Sequence, residues 1–233
     1  MRNSQRAVVG ALGLIVAVMV AFTLWVRLSA EAAPELSGER TSRTTDHSGF
    51  DGIEISGQWQ IDVERGDAWR VAIDVPAELL EDVEVEIRGD RLSLGFEGGW
   101  CMACFREGLE LKATITMPVL ESLDMSGSSF VRFTGFEGSN LSLDLSGSGA
   151  IRGTASRFDA LTIDMSGAAS VDLGDVSVTD ANVDVSGAGS VTLRMAGGRL
   201  TGDLSGATSL EYYGTVSAED VDKSGMVNVR HRD

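Results

Sequence analysis

The chain has 233 residues, a formal net charge of −16, and only 2 Cys and 2 His. Residues 1–30 contain no acid, so all 35 Asp and Glu lie beyond them; a surface of that sign repels phosphate backbones and argues against a nucleic-acid partner. With 28 Gly, 3 Pro and 6% aromatic residues, the composition favours many short strands and tight turns over a helical bundle.

Residues 7–26, AVVGALGLIVAVMVAFTLWV, run for twenty positions without a charge behind Arg2 and Arg6. A stretch of about 20 apolar residues is long enough to cross a bilayer, and the positive flank holds the N-terminus in the cytoplasm. The reading is a cytoplasmic N-terminus at 1–6, followed by a transmembrane signal anchor or a signal peptide over 7–27. Ala30 and Ala32 in "LSAEAA" leave cleavage open. Residues 28–49 lack apolar periodicity and read as a flexible tether. The remainder is expected to be anchored at the inner membrane, in the periplasm or outside the cell, or to be secreted after cleavage.

From Phe50 to Met117 the pattern alternates with period two: "GIEISGQWQIDVE", "AWRVAIDV", "VEVEIRG", "RLSLGFE", "LELKATITM". Ile61 and Val63, then Val71, Ile73 and Val75, fall on one face and acids or polar residues on the other, which predicts strands with one wet side over 50–117. Two Arg-Gly-Asp triplets, at 65–67 and 88–90, fall where turns are needed and read as turn chemistry. In "WCMACF", Cys101 and Cys104 sit in a loop between strand patterns, without the helix start that lowers a thiol pKa in redox sites; a small loop disulfide is the first reading and free or metal-binding thiols the second.

From Leu120 the period becomes twenty. Ser-Gly pairs fall at 126, 146, 166, 186, 205 and 224, so the spacing is 20, 20, 20, 19 and 19. Leu123, Leu143, Ile163 and Val183 share one column, and Val131, Ile151, Val171, Val191, Leu210 and Val229 another. Self-similarity at a fixed period signals stacked repeats, and twenty residues suit three short strands and three turns. The expected fold is therefore all-β: a right-handed parallel β-helix, a solenoid with ~20-residue coils over 118–233, preceded by the alternating strands and one N-terminal transmembrane helix. The glycine after each serine suits a corner with φ above zero.

The opening "FDGIEISGQWQIDVERGD" followed by "LDMSGSS", "LDLSGSG", "IDMSGAA" and "VDVSGAG" resembles a bacterial family called "putative autotransporter adhesin, head GIN domain", a domain of unknown function. The resemblance covers about residues 48–230. It implies a right-handed parallel β-helix in the bacterial envelope and supplies no catalytic residues.

The Asp-x-Ser-Gly motif is weighed as chemistry and as architecture. With Leu123 and Met125 inward, Asp124, Asp144, Asp164, Asp184, Asp203 and Asp222 form an outward ladder beside Ser126 and its counterparts. An enzyme needs one differentiated site rather than six equivalent ones. The two His, His47 and His231, lie outside the repeats' serine columns, so no serine has an evident base. The expectation is no catalytic residue and no cofactor. Like charges at strand spacing repel, which makes the six Asp a candidate cation ladder, although one carboxylate per coil is sparse for calcium. Trp59, Trp69, Trp100, Tyr212 and Tyr213 could stack sugars but suit packing better. The leading function is a non-enzymatic, membrane-anchored envelope module for adhesion or partner binding, its partner an envelope protein or a glycan. The alternatives are a carbohydrate-active β-helix enzyme, resting on fold alone, and an envelope scaffold or sensing accessory without external ligand. Oligomeric state is not legible at this level.

Overall fold

In the computed structural model, residues 38–96 and 111–232 are described. They form β1 (Arg40–Thr45), β2 (Gly52–Gly57), β3 (Trp59–Arg65), β4 (Arg70–Pro76), a 3-10 turn (Ala77–Leu79), β5 (Val83–Arg88), β6 (Arg91–Phe96), β7 (Leu111–Met117), β8 (Ser122–Gly127), β9 (Phe130–Thr134), β10 (Glu137–Ala196), β11 (Arg199–Thr215) and β12 (Ala218–Arg232). All twelve belong to one sheet, ordered β1-β4-β7-β3-β9-β10-β8-β2-β6-β5, with β11 between β10 and β12.

The fold class expected from the sequence is corrected by this topology. A parallel β-helix requires parallel neighbours throughout, whereas β1–β4, β4–β7 and β5–β6 are antiparallel. The N-terminal strands also do not precede a separate solenoid. β2 pairs with both β6 and β8, and β3 pairs with both β7 and β9, so the chain from Gly52 onward is woven into the sheet that holds the repeats. The result is a mixed sheet curled into a half-barrel. Turn chemistry explains the antiparallel part: the Arg88-Gly89-Asp90 turn, with Gly89 at φ 68°, closes the β5–β6 hairpin. A turn at Gly66 sends the chain from β3 to β4, and β7 slots between those two strands. No helix among the described residues is long and apolar enough to cross a membrane. The segment 7–27 lies outside the described residues, as do Cys101 and Cys104.

Alternation drives the curl. Ile53, Ile55, Ile61, Val63, Val71, Ile73 and Val75 are all buried, as are Leu123, Leu143, Ile163, Val183, Leu204 and Leu210 in the repeats. One face of the sheet is therefore apolar in both halves, and with no helical layer over it among the described residues the sheet covers that face by bending upon itself. Phe133 anchors the interior, meeting Phe136 and Phe158 edge-on at 6.4 and 6.3 Å between centroids.

The period of twenty sets the register of parallel neighbours. Asp124 lies opposite Asp144 and Ser126 opposite Ser146, and β11 to β12 matches Asp203 with Asp222 and Ser205 with Ser224. β10 is continuous over 60 residues; it turns at Gly147, Gly167 and Gly187, which hold φ 132°, 120° and 139°. Residues Arg40–Thr45, within the stretch read as a tether, form an edge strand on β4, where the Arg40 guanidinium donates to the Asp74 carboxylate at 3.1 Å.

Candidate functional site

Each repeat places its acid by the same local logic. In "LDMSG" the apolar residues at 123 and 125 are buried, and strand alternation turns Asp124 and Ser126 to the other face. Register then makes a continuous file. Glu54 on β2 stands opposite Asp124, so "EISG" at 54–57 is the first rung. Asp124 ion-pairs with Arg91 on β6. The Asp184 carboxylate accepts from the Asp203 backbone N–H at 2.8 Å and from the Asn182 amide at 2.7 Å. Asp144, Asp164, Asp184 and Asp203, with Ser166, Ser186 and Ser205, border a shallow groove of about 480 Å³.

Asp164, at the middle of the file, has its carboxyl pushed above the ordinary value of 3.8, first by loss of solvent and then by the charges of Asp184 and Asp144. The acids stand in line, one per layer, rather than around a point. Among the described residues no three or more His, Cys, Asp or Glu side chains converge as a metal site would require.

The serines serve the sheet. Ser126 Oγ donates to the Ile55 carbonyl and Ser205 Oγ to the Val185 carbonyl, each at 3.3 Å, tying a corner to the layer before it. The two histidines engage backbone carbonyls, His47 that of Val85 at 3.0 Å and His231 that of Gly214 at 2.7 Å. The glycines stack carbonyl to Cα. A Cβ at Gly147 would run into the carbonyl of Gly127, at Gly167 into that of Gly147, and at Gly187 into that of Gly167. Of the two Arg-Gly-Asp triplets, 88–90 is the β5–β6 turn, and Gly66 of the other donates its N–H to the Met117 carbonyl at 3.0 Å.

Of the aromatic residues named for stacking, Trp59 is 2% exposed and Tyr212 4%. The indole of Trp69 donates to the Phe50 carbonyl at 2.8 Å, and Trp100 lies outside the described residues. A patch that pattern reading missed lies at Phe130, an outward position that holds Ala150, Ser170 and Ser190 in later repeats. Its ring is exposed, Arg132 lies over it at 5.4 Å, and Arg132 also donates to Asp62 at 2.6 Å. Gln58, Gln60, Ser128 and Ser148 line the adjoining hollow of about 380 Å³. The available signal was an aromatic residue in a column otherwise made of small ones.

Residues 49–216 match the sequence model of a family described as "Putative auto-transporter adhesin, head GIN domain". Among solved structures the chain is similar to a "putative adhesin" from Bacteroides fragilis, at 16% identity and a TM-score of 0.63 over 86% of this chain and 100% of that one. It is also similar to a "putative adhesin" from Parabacteroides merdae, at 14% identity and a TM-score of 0.43 over 84% of this chain and 98% of that one. A "putative lipid binding protein" from Parabacteroides distasonis is similar at 16% identity and a TM-score of 0.45, over 83% of this chain and 98% of that one. No curated protein matches the sequence.

Proposed function

The chain belongs to the "Putative auto-transporter adhesin, head GIN domain" family, and from that premise we propose that it is a non-enzymatic module of the cell envelope whose repetitive outer sheet face binds a surface glycan or an envelope protein. The observation that supports this reading most directly is the file running from Glu54 through Asp124, Asp144, Asp164 and Asp184 to Asp203 and Asp222. It offers a carboxylate and a hydroxyl in layer after layer. Such an array suits weak contacts summed along a polymeric or repetitive partner, and suits poorly a reaction that needs one differentiated centre. Export is started by the charge-free residues 7–26 behind Arg2 and Arg6, which serve as leader or anchor and put the sheet outside the cytoplasm.

The test is retention of cells carrying the full chain on arrays of bacterial and host glycans and on immobilised envelope proteins, with and without calcium. The expected result is retention above that of cells lacking the chain, lost on combining Asp144→Asn, Asp164→Asn, Asp184→Asn and Asp203→Asn. Retention that this quadruple variant leaves unchanged would exclude the file as the binding face.

A further inference from the structure

β12 ends the stack as an open edge. It pairs with β11 on one side and with nothing on the other among the described residues. Leu204 and Leu210 on β11 are buried, whereas their register partners on β12, Lys223 and Val229, have no layer beyond them. Met226 is 80% exposed. A 15-residue edge with free backbone donors and acceptors is a template for another strand.

Its charges are sorted by position. Asp220 and Asp222 precede the Ser224-Gly225 corner, and Arg230 and Arg232 follow it. Register places Asp222 beneath Asp203 and Arg230 beneath Glu211, so the even-numbered side chains of β12, Met226 among them, share the outer face. Glu211 alone takes both arginines, at 3.9 and 2.9 Å, which leaves that arm positive. Asp220 and Asp222 form no ion pair among the described residues, and the Lys223 ammonium leans toward Glu219 at 3.9 Å.

We propose that β12 pairs edge to edge with β12 of a second copy of this chain, antiparallel, about a two-fold axis at Met226. That register sets Asp220 opposite the second copy's Arg232 and Asp222 opposite its Arg230, all on one face, and brings the two Met226 side chains together. A two-fold interface must be self-complementary, and an edge acidic in its first half and basic in its second meets that condition only when reversed against itself. Head-to-tail stacking fails it. The far edge of the sheet presents β5 in line with the acidic arm, where Glu84 and Glu86 are ion-paired with Arg88, and β1 in line with the basic arm, where Arg40 is ion-paired with Asp74, so neither strand offers β12 the unpaired opposite charge that a second β12 does. A slip of one residue fails too, since it turns the paired side chains to opposite faces.

The test is the mass of the full-length chain in detergent micelles by sedimentation velocity across a concentration series. The wild-type chain is expected to dimerise. Asp220→Arg with Asp222→Arg makes both arms basic, and Arg230→Asp with Arg232→Asp makes both acidic; each variant alone should self-associate at least about tenfold more weakly, and an equal mixture of the two should regain the dimer. Met226→Glu, at an exposed position where folding is indifferent to the change, should also abolish it by setting two carboxylates on the axis. A wild-type chain that stays monomeric throughout, or a dimer that survives both Asp220→Arg/Asp222→Arg and Met226→Glu, would overturn the proposal. So would a mixture of correctly folded charge variants that remains monomeric.

Discussion

Six glycines and one aspartate show how far a single position can be constrained by its neighbours one layer away. Gly127, Gly147, Gly167, Gly187, Gly206 and Gly225 all hold positive φ, and each faces the backbone of the glycine before it in the file, beginning at Gly57. Gly147→Ala should therefore cost more than the roughly 1–2 kcal/mol of a left-handed alanine, because the new Cβ also meets the Gly127 carbonyl. Urea titration should show a lower midpoint with the slope retained. For Asp164 the constraint is electrostatic. Its carboxyl is raised above 3.8 by burial, then by Asp184 and Asp144, so in the window just above the ordinary carboxylate range the folded chain binds more protons than the unfolded one, and stability falls as pH rises through it. Asp164→Asn should stabilise the fold at pH 7. That advantage should vanish as pH drops below about 3.9, where the unfolded aspartate is also protonated, and shrink with added salt; melting temperatures across pH and ionic strength check the sign.

Among elements, β12 is an edge strand, paired on one side only among the described residues. Its fastening is a small cluster. Tyr212 Oη donates to Glu219 at 2.7 Å, and the His231 ring stacks on Tyr212 at 4.8 Å. The Tyr212 phenol is pushed up to about 12, chiefly by that hydrogen bond, then by burial and the Glu219 charge. Because the folded value lies above the ordinary 10.0, the contribution is whole below pH 10 and is lost as pH climbs toward 12. Tyr212→Phe should weaken the attachment of β12 by roughly 1–3 kcal/mol, seen as faster amide exchange in 218–232 with other strands unchanged, and should flatten the alkaline loss of stability. Elements of this kind were legible in the sequence where the signal is local. The 19- and 20-residue spacing marked the register of β8, β10, β11 and β12, and Leu123 with Met125 marked the buried face. The fastening itself was not legible, because Tyr212 and Glu219 meet across a turn at positions that no repeat pattern shares.

At the scale of the whole molecule, strands from the first third of the fold sit inside the sheet of the repeats. β3 runs between β7 and β9, and β2 between β6 and β8. Unfolding should accordingly be one event. Ile61→Ala, at a fully buried position on β3, should cost about 2–5 kcal/mol and lower the melting of the repeats with that of the N-terminal strands. Coincident transitions by tryptophan emission, to which Trp59 and Trp69 contribute, and by far-ultraviolet circular dichroism would establish this; a second calorimetric peak would refute it. Sequence reading divided the chain at Leu120 because the period changes there, from two to twenty. The physical reason the sheet ignores that boundary is that strand pairing at separations such as Glu54 to Asp124 leaves no trace in local periodicity. The antiparallel edges escaped notice for the same reason: alternation reports which face is buried and says nothing of a neighbour's direction.

The change of spacing from 20 to 19 records how this sheet tolerates a shortened repeat. β10 and β11 keep one register, offset by 19, from Ala181 with Leu200 to Ala196 with Thr215, and the break in the strand falls at Gly197 and Gly198. Loss of one residue inside a paired strand would have turned Asp203 inward and Leu204 outward; taken up at a glycine turn, it leaves both faces intact. The turns are thus the places where single insertions and deletions can be accepted, whereas for the paired strands a whole repeat is the unit that can be copied or removed without rewriting the rest. A chain built this way can change its reach by counting repeats while the chemistry of its outer face stays the same.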